Sequence, residues 1–319
     1  MAKNLIIVES PAKARTISKF LGKDYTVTAS MGHVRDLPSS KLGFDPENGF
    51  APDYEISKNK KKTVSELKKQ IDKDTVVYLA TDEDREGEAI AAHLAGEIPE
   101  EKVGRVEFTE ITKAGVQAGM DQVRDLDHNM IAAQQTRRII DRLVGYKISP
   151  ILWQTLQSNM NFVKTALSAG RVQSAAVKLL IDRDRKRMKF MSATYYDIKA
   201  QLNKEQDKTE FEATLVRIDE KRIASGKDFD ADTGELKTKN VQLLSESEAK
   251  SLETSLKTED WIVKSVEEKP RTSRPKAPFT TSTLQQEASR KLRMSARQTM
   301  RTAQILYEAG FITYMRTDS

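Results

Sequence analysis

The stretch from Val76 to Leu94 constrains the fold of this chain more than any other. Val76-Val77-Tyr78-Leu79-Ala80 is a short apolar run of the length and β-branched character of a buried strand. Ala89-Ile90-Ala91-Ala92-His93-Leu94 reads as a helix, and between the two lies Thr81-Asp82-Glu83-Asp84-Arg85-Glu86-Gly87-Glu88. Open α/β sheets place their ligands at the carboxyl ends of parallel strands, which is where these acids fall. Asp82, Asp84 and Glu86 are spaced by two, so in an extended segment they project to one side. Carboxylates held together either take up protons or share a divalent cation. A solvated acidic turn is the plain alternative; the adjoining strand and the Arg85–Gly87 pattern argue against it.

Upstream, Leu5-Ile6-Ile7-Val8 reads as another buried strand with Glu9 and Ser10 at its end. Pro11 then opens a helix, a favoured place for proline, with helical character from Ala12 to Leu21. Tyr25 to Ala29 reads as a strand, residues 30–38 as a polar loop, 39–57 as irregular, and Lys58 to Ile71 as a basic helix. A short strand at 105–108 and a helix from Ile111 to Val123 follow. The alternation predicts a parallel α/β domain formed by residues 1–36 and 58–126.

From Ile131 the pattern becomes helical, with helices expected at Ile131–Gly145 and Pro150–Leu156, and a longer one from Ser168 to about Phe190. Residues 127–190 carry twelve Lys and Arg against four acids. The Ser and Gly ahead of the long helix suit phosphate binding by backbone N–H groups, or ordinary capping. Together with 37–57 this is the expected second domain. Residues 194–202 and 210–218 alternate like an antiparallel pair, Gly226–Asn240 reads as a loop or an irregular hairpin, Glu246–Leu256 as a helix and Trp261–Val266 as a strand. This makes 191–268 a β-rich segment. A basic, proline-rich linker begins at Lys269, then helices at Thr281–Leu292 and Ser295–Glu308, with Gly310 closing the second and a strand expected over 311–319. Nine Lys and Arg against one acid between Lys269 and Arg301 suit a phosphate backbone.

Composition excludes several functions. The sequence has no cysteine and only three histidines, which rules out disulfides and cysteine zinc sites. No apolar run approaches the ~20 residues of a membrane span, and the N-terminus lacks a signal-peptide layout. A cytoplasmic protein is expected. The net charge of +6 favours an anionic partner. There is no Gly-x-x-x-x-Gly-Lys-Ser/Thr run and no Gly-x-Ser-x-Gly elbow.

Several motifs occur in order: Val8-Glu9-Ser10-Pro11-Ala12-Lys13-Ala14, Gly32-His33-Val34-Arg35-Asp36-Leu37-Pro38, Asp82-Glu83-Asp84-Arg85-Glu86-Gly87-Glu88, Gln134-Gln135-Thr136-Arg137-Arg138, Asp141-Arg142-Leu143-Val144-Gly145-Tyr146, Leu167-Ser168-Ala169-Gly170-Arg171-Val172-Gln173-Ser174 and Ile312-Thr313-Tyr314-Met315-Arg316-Thr317-Asp318-Ser319. In this combination the chain resembles the bacterial type IA DNA topoisomerase I family from about residue 4 to 319. The resemblance implies a multidomain α/β plus α architecture: a Toprim domain with a Rossmann-like parallel sheet, a helical DNA-binding domain, a small β-rich segment and the start, at 269–319, of a tyrosine-bearing helical domain. It implies ATP-independent relaxation of negatively supercoiled DNA through a 5′-phosphotyrosyl bond at Tyr314, strand passage and religation. It further implies Mg²⁺ held by Glu9, Asp82, Asp84 and Glu86, with Glu9 as general acid for the leaving 3′-oxygen, and Lys13 and Arg316 as cations at the phosphate. The DNA contacts it implies are His33, Arg137, Arg138, Asp141, Tyr146, Trp153, Ser168, Ala169, Gly170, Arg171, Val172, Gln173 and Arg316. The expected partners are single-stranded and negatively supercoiled DNA, bound by a nucleoid-associated monomer. The residue chemistry fits, since a phenol of pKa ~10 needs nearby cations or a base to act as a nucleophile at neutral pH.

The family continues past the Tyr314 motif, so the sequence reads as a fragment or a truncated reading frame, expected to bind single-stranded DNA but to relax supercoils poorly or not at all. The alternatives are a catalytically incompetent single-strand-binding fragment, or another Toprim enzyme such as a nuclease or primase. A primase would predict a zinc module, for which cysteine is lacking.

Overall fold

The computed structural model describes residues 4–156, 167–204 and 207–317. Two compact units result: residues 1–171 with 275–319, and residues 172–274.

In the first unit, β1 (Asn4–Val8), β2 (Tyr25–Ala29), β5 (Val76–Leu79) and β6 (Val103–Arg105) form a parallel sheet in the order β2-β1-β5-β6. The two-residue periodicity of a strand divides β1 between two cores. Ile6 and Val8 join Ala14 and Ile17 of α1 (Pro11–Ile17), Val116 of α4 (Lys113–Met120), and Ala303 and Tyr307 of α9 (Ala296–Glu308). Leu5 and Ile7 join Val64 and Leu67 of α2 (Lys61–Lys68), and Ile90, Ala91 and Leu94 of α3 (Arg85–Ala95). Burial on both faces is what a parallel sheet demands, and it explains the unbroken apolar runs. β3 (Arg35–Asp36) and β4 (Glu55–Ile56) make a small antiparallel bridge that the local sequence did not announce.

Several expectations are corrected. α3 starts at Arg85, not Ala89, because Asp84 caps it: its side chain accepts from the Gly87 N–H. The acidic stretch is therefore not extended, and the spacing by two does not align its carboxylates. β6 lies two to three residues before the expected 105–108 strand, although Val106 N–H still donates to the Leu79 carbonyl at 3.0 Å. The helices expected at Ile131–Gly145 and Pro150–Leu156 are one, α5 (His128–Thr155), with Pro150 inside it. Proline removes one backbone bond there, and the helical bonds on both sides outweigh that loss. Residues 311–317 form no strand; the Tyr314 N–H donates to the Thr109 carbonyl at 2.8 Å and the Phe311 N–H to the Leu306 carbonyl at 2.9 Å. Asp318 and Ser319 lie outside the described residues.

In the second unit, β7 (Lys199–Lys204) and β8 (Asp207–Thr214) form the expected antiparallel pair, both displaced toward their connection relative to 194–202 and 210–218. It also holds most of α6 (Arg171–Lys189), a small sheet of β9 (Arg217–Ile218), β10 (Lys221–Ile223) and β11 (Val241–Gln242), and α7 (Glu246–Leu256). Trp261–Val266 is not a strand; among the described residues no neighbouring strand supplies the hydrogen bonds one needs, and Ile262 is 87% exposed.

Candidate active site

The order of the parallel strands sets the site. Glu9 follows β1 and Asp82 follows β5, so both lie at the carboxyl end of the sheet. Ser10 caps α1 by accepting from the Lys13 N–H, and Pro11 takes the first helical turn. Lys13 is thereby one turn from Glu9. Its ammonium, wholly buried, lies 3.1 Å from Glu9 Oε1 and 2.9 Å from Asp82 Oδ1. It also lies 5.5 Å from the centre of the Tyr307 ring. The other Glu9 oxygen accepts from the Asp82 N–H at 3.0 Å. Burial pushes the Glu9 carboxyl up to about 8, with Lys13 opposing and Asp82 reinforcing the shift. Burial opposes the Lys13 charge, yet Glu9 and Asp82 outweigh it and hold the ammonium above its ordinary range.

Asp84 faces elsewhere. One of its oxygens caps α3, and Oδ2 accepts from the Tyr314 hydroxyl at 2.5 Å and from Arg316 at 2.8 Å. The strand geometry expected for Tyr314 and Arg316 is absent, but both side chains still reach the same oxygen. Tyr314 is 6% exposed and sits edge-on to Tyr307, ring centres 5.1 Å apart. Burial, Asp82 and the bond to Asp84 together push its phenol well above the tyrosine range, against the pull of Arg316. The segment is placed by Gly310, whose φ of +79° closes α9. A Cβ there would strike the Ile111 carbonyl. Thr281, opening α8 (Thr281–Leu292), donates to the Met315 carbonyl at 2.7 Å. The acidic residues and the tyrosine thus share one compact unit.

Glu86 turns a third way. It accepts from Gln134 at 3.3 Å and lies 3.4 Å from His33 Nε2; His33 first, then Gln134, brings its carboxyl down to about 2 against the effect of burial. Carboxylate oxygens are the hard donors Mg²⁺ takes. These carboxylates, however, do not converge: among the described residues no three Asp, Glu or His side chains gather in a metal-ligating group. Lys13 holds one oxygen each of Glu9 and Asp82, and Arg316 holds Asp84 Oδ2, so in this arrangement the carboxylates do not form a divalent-cation site.

Two supports of the site were not singled out by the sequence. Arg105, wholly buried at the end of β6, pairs with Glu88 at 2.8 Å and donates to the carbonyls of Leu79, Thr81 and Asp82 at 2.8–3.0 Å. Arg124 shares the same Glu88 at 2.9 Å. Paired and hydrogen-bonded, the buried Arg105 and Glu88 fix the backbone from which Asp82 projects. Gly87 is the second support: a Cβ there would collide with the Asp82 carbonyl, so glycine lets the acidic loop fold back onto its strand. Only Gly87 had a sequence signal, in its motif.

Of the expected DNA contacts, His33, Arg137, Arg138 and Asp141 line one cavity beside the acidic loop. Arg138 pairs with Asp36 at 2.5 Å, and Arg171 with Asp141 at 2.9 Å. Tyr146 is 42% exposed and bonds the Ser39 carbonyl, while Trp153 is 45% exposed and its indole N–H donates to the Leu167 carbonyl at 2.5 Å. Neither aromatic ring is core. Ser168, Ala169 and Gly170 precede α6, and the Ala169 N–H donates to Ser149 Oγ at 3.1 Å. Val172 and Gln173 lie in the first turn of α6, exposed and in the second unit.

A family model described as DNA topoisomerase matches residues 125–319, and one described as Toprim domain matches residues 4–111. The chain belongs to the DNA topoisomerase family. Similar topoisomerases include DNA topoisomerase 1 of Synechococcus elongatus, 52% identical over 99% of this chain and 36% of that protein. The DNA topoisomerase 1 of Streptomyces coelicolor is 46% identical, over 99% and 34%. The solved full-length topoisomerase I of Thermotoga maritima is 38% identical, covering 99% of this chain and 49% of that one, with a TM-score of 0.73. The chain spans about a third of the length of these curated topoisomerase relatives.

Proposed function

We propose that this chain carries the strand-cleaving centre of an ATP-independent type IA DNA topoisomerase. The observation that supports it most is the Tyr314 hydroxyl donating to Asp84 beside Arg316, with the buried Glu9–Lys13–Asp82 cluster next to it. Tyr314 oxygen attacks a phosphorus of single-stranded DNA, the bond from phosphorus to the 3′-oxygen breaks, and a 5′-phosphotyrosyl bond forms. Asp84 is the immediate acceptor for the phenol proton, and Glu9, holding its proton to about pH 8, supplies the leaving 3′-oxygen. Lys13 and Arg316 offset the phosphate charge. Resealing runs the same steps backwards, after another strand has passed. Because Tyr314 is buried, admission of the strand requires residues 311–317 to move. Mg²⁺ use by the whole enzyme would require Lys13 or Arg316 to release carboxylate oxygens first. The full reading includes negatively supercoiled DNA as substrate, the sequence-derived DNA contacts, a monomer, and a cytoplasmic, nucleoid-associated location.

The polarity of the covalent adduct tests the reading. A single-stranded oligonucleotide labelled at its 3′ end should remain attached to protein on a denaturing gel, and one labelled at its 5′ end should be released. The reverse pattern, or free fragments only, overturns it. Glu9 must be protonated to act, so adduct formation should hold up to about pH 8 and fall roughly tenfold per pH unit above it. Glu9→Gln should be slow and lack that falling limb. An unchanged limb in Glu9→Gln assigns it to another group.

A further inference from the structure

The helix α2 carries its charge on one side. Val64 and Leu67 are buried against the sheet, and the face left to solvent holds Lys61, Lys62, Ser65, Lys68 and Lys69. Lys58 and Lys60 stand on the single 3-10 turn just before it. Glu66 is the one acid between residues 57 and 70.

Helix stability does not explain this arrangement. The amino end of a helix carries partial positive charge, which acids stabilise and cations do not. The first turn of α2 has no acid, and Lys61 and Lys62 stand in it. The solvated helix α7 is built the other way: Glu246 and Glu248 open it, and Lys250–Glu246 and Lys257–Glu253 pair one turn apart. Within α2 the corresponding pair is Lys62–Glu66 at 3.8 Å, and Lys68 reaches out of the helix to Glu97 at 2.7 Å. Lys58, Lys61 and Lys69 have no ion-pair partner among the described residues.

Shape and connection select the partner. A shallow groove of about 420 Å³ lies on this face, lined by Ile56, Lys61, Val64, Ser65, Lys68 and Lys69. No aromatic ring lines it, so it offers contacts to phosphate and no platform on which an unpaired base could stack. A duplex, whose bases are already stacked, needs only the phosphate contacts. Lys61 and Lys69 stand about 12 Å apart along the helix axis, the length of roughly three to four phosphates of one strand. The helix is also tied to the loop that carries His33. Lys60 donates to the Met31 carbonyl at 2.6 Å, the Ser57 N–H to the Val34 carbonyl at 3.1 Å, and β4 pairs with β3.

We propose that this face of α2 holds the phosphate backbone of duplex DNA flanking the single strand at Tyr314. The inference rests on the DNA reading above and adds to it a surface that none of the sequence-derived contacts includes.

The test compares a single-stranded 12-mer with the same 12-mer extended at either end by a hairpin stem, each bound to the 319-residue chain and to Lys61→Gln/Lys69→Gln. Both lysines are exposed, so the fold is preserved and the urea midpoint should not fall. At low salt one of the stems should tighten binding about tenfold. The double variant should lose most of that gain and bind the bare 12-mer as before. For the stem-bearing DNA, the slope of log affinity against log salt should become shallower by about 2, one phosphate for each lysine removed. The proposal is overturned if neither stem improves binding, if the gain survives the double variant, or if the bare 12-mer is weakened as much as the stem-bearing DNA. Failure of the bare 12-mer to bind at all would instead sink the single-strand reading. The isolated stem then decides the proposal, which requires that its binding depend on Lys61 and Lys69.

Discussion

Tyr314→Phe is expected to abolish the covalent protein–DNA adduct, by a factor on the order of 10⁴ or more, the scale on which loss of a nucleophile acts. Binding of single-stranded DNA should survive. The substitution removes the hydrogen bond to Asp84, worth about 1 kcal/mol net, but Asp84 keeps Arg316 at 2.8 Å and the Gly87 N–H at 2.8 Å. The phenyl ring keeps its edge-on contact with Tyr307. Lost chemistry would therefore not reflect a lost fold. The measurement pairs adduct formation on a denaturing gel with single-strand affinity by fluorescence anisotropy. Persistent strand cleavage by Tyr314→Phe would turn the reading toward a Toprim nuclease, in which the carboxylates act without the tyrosine.

Lys13→Ala should be the most destabilising single change at the site, by about 3–5 kcal/mol, because it leaves the buried Asp82 carboxylate without its counter-charge and Glu9 without its donor. Lys13 is 0% exposed and lies within 3.1 Å of both acids, so water does not readily replace it. The pH dependence follows from the signs of the shifts. Asp82 is opposed by burial but is held below its ordinary value chiefly by Lys13, so its contribution is present above the unfolded pKa and is lost on acidification. Glu9 is raised, so its contribution is present at acid pH and is lost as pH rises from its ordinary value of 4.5 to about 8. Lys13 itself is raised, so its contribution is complete throughout the range below its ordinary 10.5. Without Lys13 both acids favour their protons, and the deficit against the unsubstituted chain should be largest at neutral pH and narrow toward pH 4. Urea unfolding at both pH values checks this. A loss below about 1 kcal/mol at neutral pH would show that the cluster is solvated rather than buried.

Much of the site was legible because its parts are short and local. Glu9 and Asp82 each follow an apolar strand, and Ser10 and Pro11 start the helix that carries Lys13. The two-faced burial of β1 was visible as an unbroken apolar run. What escaped was long-range. Nothing local to Arg105 shows that a charged strand residue is wholly buried; its partner Glu88, shared with Arg124, comes from α3. The strands expected at 261–266 and 311–319 had strand composition, but a strand exists only where another backbone meets it. The helix running through Pro150 failed in the opposite direction, a local breaker overridden by its neighbours.

By itself the sequence determined the parallel α/β framework, the family, and the residue types available for phosphoryl chemistry, since strand periodicity, caps and motif order are properties of consecutive residues. Only the tertiary structure decided how the acids are used. It separated Asp82, Asp84 and Glu86, which the spacing had aligned, because a helix begins at Arg85 and turns each one toward a different partner. Those partners, Lys13, Tyr314 and Gln134, lie 48 to 230 residues away along the chain, a distance that local sequence pattern does not encode.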